Sequence, residues 1–385
     1  MPLIAEPLYV LAVLALLVAF SEWVCRKRGF RQIGSALVVI LAAALLANIG
    51  VLPSSSNAPP LYDGIFGCLA PLAIFFLLLD VRLKDLRLAG LPMLLLFGLG
   101  AASTIAGSLV GYHLLAPQER GIENAFAVGG MFTGTYIGGS VNLNAVALHY
   151  GVAKDGTLFA AINAADNVIT TLWIAATLLL PRLLQRWFPR AESAAATTAD
   201  NAALPLAPGD TKEAVDVLGL SLLLALGTGS LLIAQLCTRL VPTLPAVLVL
   251  TTIALVLAQI PAVQKLGGAR TLGYFAVLLF LAVIGAYCDI GALMANGSVA
   301  LLLLQWVTII VAVHGVLIFV IGGLFRQDWA IIAIASNANV GGAASAGVLA
   351  TALGRDRLRL PGILVGSVGN AIGTYAGILV AEWLR

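Results

Sequence analysis

The sequence predicts an all-α membrane protein that crosses the bilayer many times, and two observations predict it. Of the 385 residues, 61% are hydrophobic and only 10% are charged, with a mean hydropathy of +1.03, whereas soluble proteins carry about 25% charged residues. Apolar stretches close to the roughly 20 residues of a spanning helix recur along the chain. The strict alternation of a transmembrane β-barrel does not occur.

Twelve apolar segments, six on each side of one break, account for most of the chain. They cover residues 3–20, 33–52, 61–79, 88–115, 124–150, 157–180, 214–236, 244–260, 271–290, 298–324, 329–353 and 360–384. The break, Arg190 to Asp216, is the only long polar stretch, and its Ala, Thr, Asp, Pro and Gly content is typical of a linker. We predict a first repeat at 1–190, a flexible cytoplasmic linker at 191–213 and a second repeat at 214–385.

The two halves match each other at a shift of 203 residues, which aligns 133–173 with 336–376 without a gap. The identical pairs include Gly138 with Gly341, Gly139 with Gly342, Ala147 with Ala350, Gly151 with Gly354, Asn167 with Asn370, Ile169 with Ile372, and Thr171 with Thr374. Because single Gly and Ala matches are common in membrane helices, the Gly-Gly pair and the Asn-x-x-x-Thr spacing carry the argument. A duplicated chain is predicted.

Basic residues in short loops mark the cytoplasmic side of a membrane protein. They follow the first, third and sixth segments, and in the second half they follow the eighth and eleventh: Arg26, Lys27, Arg28, Arg31, Arg82, Lys84, Arg87, Arg182, Arg186, Arg190, Lys265, Arg270, Arg355, Arg357 and Arg359. If the fifth and eleventh segments re-enter, each half has five crossings, every basic loop is cytoplasmic, the halves are inverted repeats and both termini are external. The alternative is that one basic loop breaks the rule.

The fifth and eleventh segments are unusually rich in glycine and small polar residues. Such residues weaken a helix and expose backbone groups that lipid cannot satisfy, so we predict discontinuous or re-entrant helices buried in protein or along a cavity. Free N–H groups at such breaks bind anions and free carbonyl groups bind cations. Close packing through small residues is the alternative, and it explains the glycines but not the asparagines. The predicted substrate-binding residues are Tyr136, Ser140, Asn142, Ser336, Asn337, Asn339, Gly341 and Gly342.

The segments after the glycine-rich ones carry residues suited to a small cation. A spacing of four places Asn167 above Thr171, and Asn370 above Thr374, on one helical face. Asp166 lies near the middle of its segment, where a charge costs about 2.5–3.5 kcal/mol, and no central Lys or Arg can pair with it. Sodium or a proton would neutralise it; a protonated, hydrogen-bonded core aspartate is the alternative. The predicted ion-binding residues are Asp166, Asn167, Thr171, Asn163, Thr133, Thr135, Asn370 and Thr374, with sodium at Asp166, Asn167 and Thr171.

Thr133-Gly-Thr-Tyr-Ile-Gly-Gly-Ser-Val-Asn142 and Ser336-Asn-Ala-Asn-Val-Gly-Gly342 resemble the paired signatures of the YjcL-like family of uncharacterised membrane proteins. That family is placed in the large group of bile-acid:sodium symporters, glutamate:sodium symporters and cation:proton antiporters. The resemblance implies two inverted repeats with discontinuous helices in a core domain that moves against a panel domain. It also implies Asn167 and Thr171 as sodium ligands. The antiporter branch has a central acidic pair, and Asp166 would be half of it.

The expected function is secondary active transport, by sodium- or proton-coupled symport of an organic anion, amino acid or short peptide through alternating access. Antiport of a monovalent cation for protons is the alternative. Two distinct glycine-rich segments fit a channel less well, and no cluster of His, Cys or carboxylate residues predicts an enzyme. We expect no cofactor beyond the coupling ion, membrane lipid but no nucleic acid as a partner, and the bacterial inner membrane as the location. A homodimer is one assembly that the sequence allows.

Overall fold

The computed structural model describes residues 6–27, 34–54, 57–190, 215–241, 244–291 and 297–385, so the predicted linker lies outside the described residues. Within these ranges the regular structure is entirely helical, as predicted. The first half contains α1 (Pro7–Cys25), α2 (Ser35–Asn48), α3 (Pro60–Leu78), α4 (Leu91–Leu115), α5 (Ala125–Gly138), α6 (Ser140–His149) and α7 (Gly156–Trp187). The second contains α8 (Val217–Leu240), α9 (Ala246–Leu257), α10 (Ala269–Ala286), α11 (Gly297–Leu324), α12 (Trp329–Val340), α13 (Gly342–Ala352) and α14 (Arg359–Leu384).

Eight of the described helices are long and apolar enough to cross a membrane, namely α1, α3, α4, α7, α8, α10, α11 and α14. Helices α2 and α9 are shorter than the segments predicted for them, with 14 and 12 residues and lengths of about 21 and 18 Å. Helix α2 ends just before Gly50, whose φ of 78° is left-handed, and Pro261 follows α9 closely. The prediction of a polytopic helical membrane protein is confirmed.

The fifth predicted segment folds back on itself as hairpin 1, formed by α5 and α6. The break falls at Gly139, whose φ of 89° and ψ of 177° are essentially confined to glycine. Asn142 on α6 lies beside Gly134 on α5, and at the open end the rings of Phe126 and Tyr150 are 5.4 Å apart. Because its two ends meet, the segment re-enters rather than crosses.

The eleventh predicted segment forms hairpin 2 from α12 and α13 in the same way. Its break lies at Gly342, where φ is 76°. Near the tip the Asn337 side-chain amide donates to the Ser345 carbonyl oxygen over 3.4 Å. At the open end, Asp328 caps α12 and pairs with Arg355, with Oδ2 and Nη2 3.5 Å apart. This segment therefore re-enters as well.

The two hairpins pack on α14 from opposite ends of that helix. Hairpin 1 lies along its C-terminal part, where the Tyr150 hydroxyl donates to a Glu382 carboxylate oxygen over 2.7 Å. Hairpin 2 lies along its N-terminal part, where Ala346 contacts Gly362. Hairpin 1 and hairpin 2 thus enter the core from opposite sides.

The tips of both hairpins reach α14 close to the middle of the helical span 356–384. The backbone of Ala343 in hairpin 2 contacts Gly366, and Gly138 in hairpin 1 contacts Gly369. Three residues of α14 separate these contacts, which corresponds to about 4.5 Å along the helix. The two breaks in helical structure therefore meet at one depth inside the protein.

Three glycine pairs hold α5 against α14 in an antiparallel arrangement. They are Gly130 with Gly377, Gly134 with Gly373, and Gly138 with Gly369. A Cβ atom at Gly130 would lie 2.5 Å from the Gly377 carbonyl oxygen, and one at Gly138 would overlap the Gly369 carbonyl group. Small residues at a spacing of four allow two membrane helices to approach this closely. The packing explanation offered for the glycines therefore applies to α5.

Replacing Gly138 with alanine should lower the free energy of unfolding by about 1–3 kcal/mol, because the new methyl group must force two backbones apart. Unfolding followed by circular dichroism in detergent measures this. The matched control is Gly229→Ala in α8, where a Cβ would meet nothing within 4 Å and the better helix former should stabilise by roughly 0.5–1 kcal/mol. Equal stability of Gly138→Ala and wild type would contradict the close approach.

Helix boundaries in the last part of each half recur at the shift of 203 residues seen in the sequence. Helix α7 begins at Gly156 and α14 at Arg359. The glycines with positive φ recur in pairs at the same shift: Gly139 with Gly342 at 89° and 76°, and Gly151 with Gly354 at 74° and 72°. The backbone therefore repeats where the sequence does.

Contacts divide the described helices into two groups. Helices α1–α3 and α8–α10 pack mainly on one another and form the panel, whereas α4–α7 and α11–α14 form the core, which contains both hairpins. Helix α7 touches α2 and α10 across the boundary. There the Gly156 backbone lies against Cys288, and the Tyr375 and Thr252 hydroxyl oxygens are 2.7 Å apart.

Candidate functional site

The candidate site lies in the core, where the hairpin tips meet α14 and α7 packs against hairpin 2. Asp166 is the eleventh residue of α7, about 15 Å along the helix, which is half the thickness of a bilayer core of about 30 Å. The predicted coupling residue therefore lies deep within the span, and its side chain is half-buried.

Two hydroxyl groups accompany the Asp166 carboxylate. The Thr170 Oγ1 atom lies 3.5 Å from Asp166 Oδ1, and the Tyr136 hydroxyl of hairpin 1 faces both side chains. Tyr136 is fully buried, and among the described residues no atom hydrogen-bonds to its hydroxyl oxygen. In the described part of the chain, no Lys or Arg pairs with Asp166. A carboxylate with two hydroxyl oxygens is a suitable hard-ligand set for sodium and a suitable place for a proton.

Hairpin 1 also contacts the Asn-x-x-x-Thr motif of α14. The Thr374 hydroxyl donates to Asn142 Oδ1 over 2.7 Å, and both side chains are fully buried. One turn earlier, the Asn370 side-chain oxygen faces Gly139 at the break. The structure thus brings Asn142, predicted to bind substrate, close to Asn370 and Thr374, which were predicted to bind the ion.

The corresponding motif of α7 has different surroundings. The Asn167 side-chain amide donates to the Asn163 carbonyl oxygen, and the Thr171 hydroxyl donates to the Asn167 carbonyl oxygen, each over 2.8 Å. The Asn167 side-chain oxygen faces Gly34, just before α2 of the panel. The side-chain oxygens of Asn167 and Thr171 stay available as acceptors, next to the boundary between core and panel.

The other predicted residues of the first hairpin are mostly buried. Thr133 and Thr135 lie inside α5, where the Thr133 hydroxyl donates to the Gly129 carbonyl oxygen over 2.8 Å. Ser140, the first residue of α6, is exposed. The predicted ligands therefore lie along hairpin 1 in several environments rather than in one shell.

A hydrogen-bond network joins hairpin 2 to three core helices. His314 Nδ1 on α11 lies 2.9 Å from the Gly100 carbonyl oxygen on α4, and Nε2 lies 2.9 Å from the Ser336 hydroxyl on α12. Trp173 on α7 donates to the same hydroxyl oxygen over 3.0 Å. Since a carbonyl oxygen only accepts, we assign the proton to Nδ1 and the acceptor role to Nε2. Ser336, predicted to bind substrate, thus already donates once and accepts once.

Asn337 and Asn339 are fully buried in hairpin 2, and the side-chain oxygen of each has no hydrogen-bond partner among the described residues. The amide nitrogen of Asn339 donates to the Phe97 and Ala335 carbonyl oxygens, both over 3.1 Å. Gly341 and Gly342 form the break between α12 and α13. The second hairpin therefore presents unsatisfied acceptors, which fits a cation better than an anion.

The sequence reasoning missed Thr170 as a partner of Asp166, although the spacing of four that identified Asn167 and Thr171 also applies to it. Neither His314 nor Thr104 was predicted to have a role, although the Thr104 hydroxyl donates to the Tyr136 carbonyl oxygen over 3.1 Å. Contacts between distant segments create the roles of His314 and Thr104, so no local signal in the sequence identifies those two residues.

Fold and site together define a polytopic helical membrane protein with two re-entrant hairpins that meet inside its core. The chain belongs to the family described as "Protein of unknown function (DUF819)", whose family model matches residues 9–385. It is similar to the "Uncharacterized membrane protein YjcL" of Bacillus subtilis (strain 168), with 28% identity over 387 aligned residues that cover 94% of each chain. The YjcL-like relationship predicted from the two glycine-rich signatures is confirmed.

Proposed function

We propose that the protein is a secondary active transporter that couples uptake of a small organic solute to sodium or protons by alternating access. One observation carries this proposal: two hairpins enter the core from opposite ends of α14, and their tips meet at mid-span. Broken helices that meet near the middle of the membrane place free backbone groups where a solute and an ion can bind.

The inverted repeat is part of the proposal. With both hairpins re-entrant and the shorter helices α2 and α9 counted as crossing together with the eight long ones, each half has five crossings, and an odd number reverses the orientation of the second half. The open end of hairpin 2, next to Arg326 and Arg355, then lies on the cytoplasmic side, as the positive-inside rule requires. On the opposite side, Glu123 and Asp155 line a cavity of about 450 Å³ near the start of α7.

The ion is proposed to bind next to Asp166, with the Tyr136 and Thr170 hydroxyl groups as further ligands. Asn167 and Thr171 lie next to Asp166 and Thr170 on α7. They are proposed as sodium ligands, the role that the resemblance to the bile-acid:sodium symporters implies. A bound cation or proton would remove the cost of the carboxylate charge at this depth. Occupation of the site would therefore change the energy of moving the core through the membrane, which is what coupling requires.

The solute is proposed to bind between the two hairpin tips. If it is anionic, the free N–H groups at the starts of α6 and α13 and the Asn142 amide nitrogen, which has no acceptor among the described residues, would bind it. The resemblance to the symporter and antiporter group supports a core that moves against the panel. It also supports the bacterial inner membrane as the location.

Cation:proton antiport is the second candidate, and Asp166 favours it. A carboxylate without a Lys or Arg partner in the described structure can exchange a proton for a monovalent cation without a solute. In that case the unpartnered acceptors of hairpin 2 would serve the cation alone.

Purified protein in liposomes tests the proposal, with sodium and proton gradients imposed separately and pools of organic acids, amino acids and short peptides supplied outside. Saturable uptake driven by one gradient is the expected result, and liposomes without protein are the control. Sodium flux that depends on pH and needs no solute would favour the antiporter. If neither gradient drives any flux, coupled transport is wrong.

A further inference from the structure

The two repeats bury equivalent positions of the core to very different extents. Ala145 on α6 is fully buried and Ala371 on α14 is 3% exposed, and both belong to one apolar cluster with Leu250 of α9 in the panel. At the shift of 203 residues their equivalents are Val348 on α13 and Val168 on α7, which are 66% and 49% exposed. One repeat therefore packs on the panel at these positions, and the other does not.

A further position of α7 shows the same difference. Leu172, one turn beyond Val168, is 60% exposed, whereas its equivalent Tyr375 on α14 contacts Thr252 of the panel through its hydroxyl group. Helices α7 and α13 contact each other, so their exposed positions are neighbours. We call Val168, Leu172 and Val348 the Val348 face.

Core and panel pack closely at the end of the molecule that is external in the proposed topology. Hairpin 1 lies in that half and packs on α3 and α9 through α6. Helix α7 meets the panel at its first turn, where Gly156 lies against Cys288, and again at Asn167, whose side-chain oxygen faces Gly34. In the cytoplasmic half, the extensive contacts of α13 within the described chain are with α5, α7, α12 and α14, all of which belong to the core. The boundary is thus closed on the external side and open on the cytoplasmic side.

The open side of this boundary carries polar groups that lipid cannot satisfy. Asp166, Asn167, Thr170 and Thr171 on α7 are each only half-buried, and Thr351 on α13 is exposed. A partly exposed carboxylate near the middle of the span is costly in lipid, so residues of this kind face a water-filled cavity. Water, rather than lipid, therefore fits the space beside the Val348 face.

We propose that this structure is the cytoplasm-facing state of the protein, in which a water-filled crevice beside the Val348 face connects Asp166 with the cytoplasm. In the externally facing state, the Val348 face docks on α2 and α10. These are the second and third helices of their halves, as α9 and α3 are, and α9 and α3 already hold the equivalent face of α6 and α14. The second state rests on the proposed transport function, whereas the crevice does not.

Single cysteines test the crevice. The four native cysteines are replaced by serine, one cysteine is introduced, and membrane vesicles of either orientation are treated with a charged methanethiosulfonate reagent that does not cross the bilayer. Because the reagent needs a hydrated thiolate, Val348→Cys and Leu172→Cys should each react at least about tenfold faster in inside-out than in right-side-out vesicles. The full-length protein is used, and no solute is needed.

Leu232→Cys is the matched control, since Leu232 is 56% exposed on α8, which packs on α3 and α9 within the panel. In lipid it should react slowly from both sides. Ala145→Cys, the buried equivalent of Val348→Cys, should also react slowly from both sides. Reaction of Val348→Cys as slow as that of Leu232→Cys, or faster reaction from the external side, would overturn the proposal. Cytoplasmic labelling without any ion-driven flux would count against the transport function and not against the crevice.

Val348→Trp tests the docking of this face in the other state. The larger side chain has room at this exposed position, so the melting temperature should stay that of wild type. Its bulk should keep the Val348 face from packing on α2 and α10 and should lower ion-driven flux in liposomes by at least about tenfold. Leu232→Trp is the control and should keep the wild-type flux. Wild-type flux in Val348→Trp would overturn the docking of this face.

Discussion

Replacing Asp166 with asparagine is expected to abolish ion-driven uptake in liposomes while leaving the protein folded. Asparagine is similar in size but neutral, so it neither exchanges a proton nor attracts a cation. Removing one charged ligand should weaken ion binding by about 10- to 100-fold. Because a charge at this depth is costly, the neutral side chain should keep or raise the melting temperature. Loss of transport together with unchanged stability distinguishes coupling from a structural role.

Asp356→Asn makes the same chemical change in the exposed turn before α14 and should transport at the wild-type rate. Asp166→Glu keeps the charge with a longer side chain and should keep the ion dependence at reduced affinity. Normal coupling in Asp166→Asn would remove this residue from the ion site. The proposal would then have to place the coupling ion elsewhere.

The sequence predicted broken or re-entrant helices in two segments and left open whether those segments cross, and the fold shows that both turn back as hairpins. That prediction depended on charge, because Arg182 and Arg355 belong on the same side as the other basic loops only if the fifth and eleventh segments do not cross. Glycine density showed where the helices break, and Gly139 and Gly342 carry the positive φ values. The basic loops and the glycine-rich stretches are features of short pieces of the chain, so a single sequence is enough to detect them.

The sequence did not predict which helices pack against the hairpins. The repeat marks Asn167 and Asn370 as equivalent, yet one faces the start of α2 and the other faces hairpin 1. Likewise, the spacing of glycines in α5 indicates a close helix neighbour but not that the neighbour is α14. Helical periodicity reports which residues share a face, and only the tertiary packing decides what that face contacts.

Joining the core to the panel by a disulfide bond should stop transport reversibly. Thr157 lies in the first turn of α7 in the core, and its hydroxyl accepts a hydrogen bond from the Asp289 amide over 3.0 Å and faces the Cys288 thiol after α10 of the panel. Thr157→Cys therefore places a second thiol beside a native one. If the core moves against the panel, oxidised protein should lose uptake in proportion to the cross-linked fraction, and reduction should restore it.

The pH of the oxidation matters, and the direction follows from the structure. Burial raises the pKa of the Cys288 thiol, so less of the reactive thiolate is present at neutral pH and cross-linking should accelerate as the pH rises. Thr157→Cys combined with Cys288→Ser is the control, and the oxidant should leave its uptake unchanged. Full uptake by completely cross-linked protein would mean that core and panel stay together at this contact during the cycle. Alternating access would then have to come from movement of the hairpins within the core.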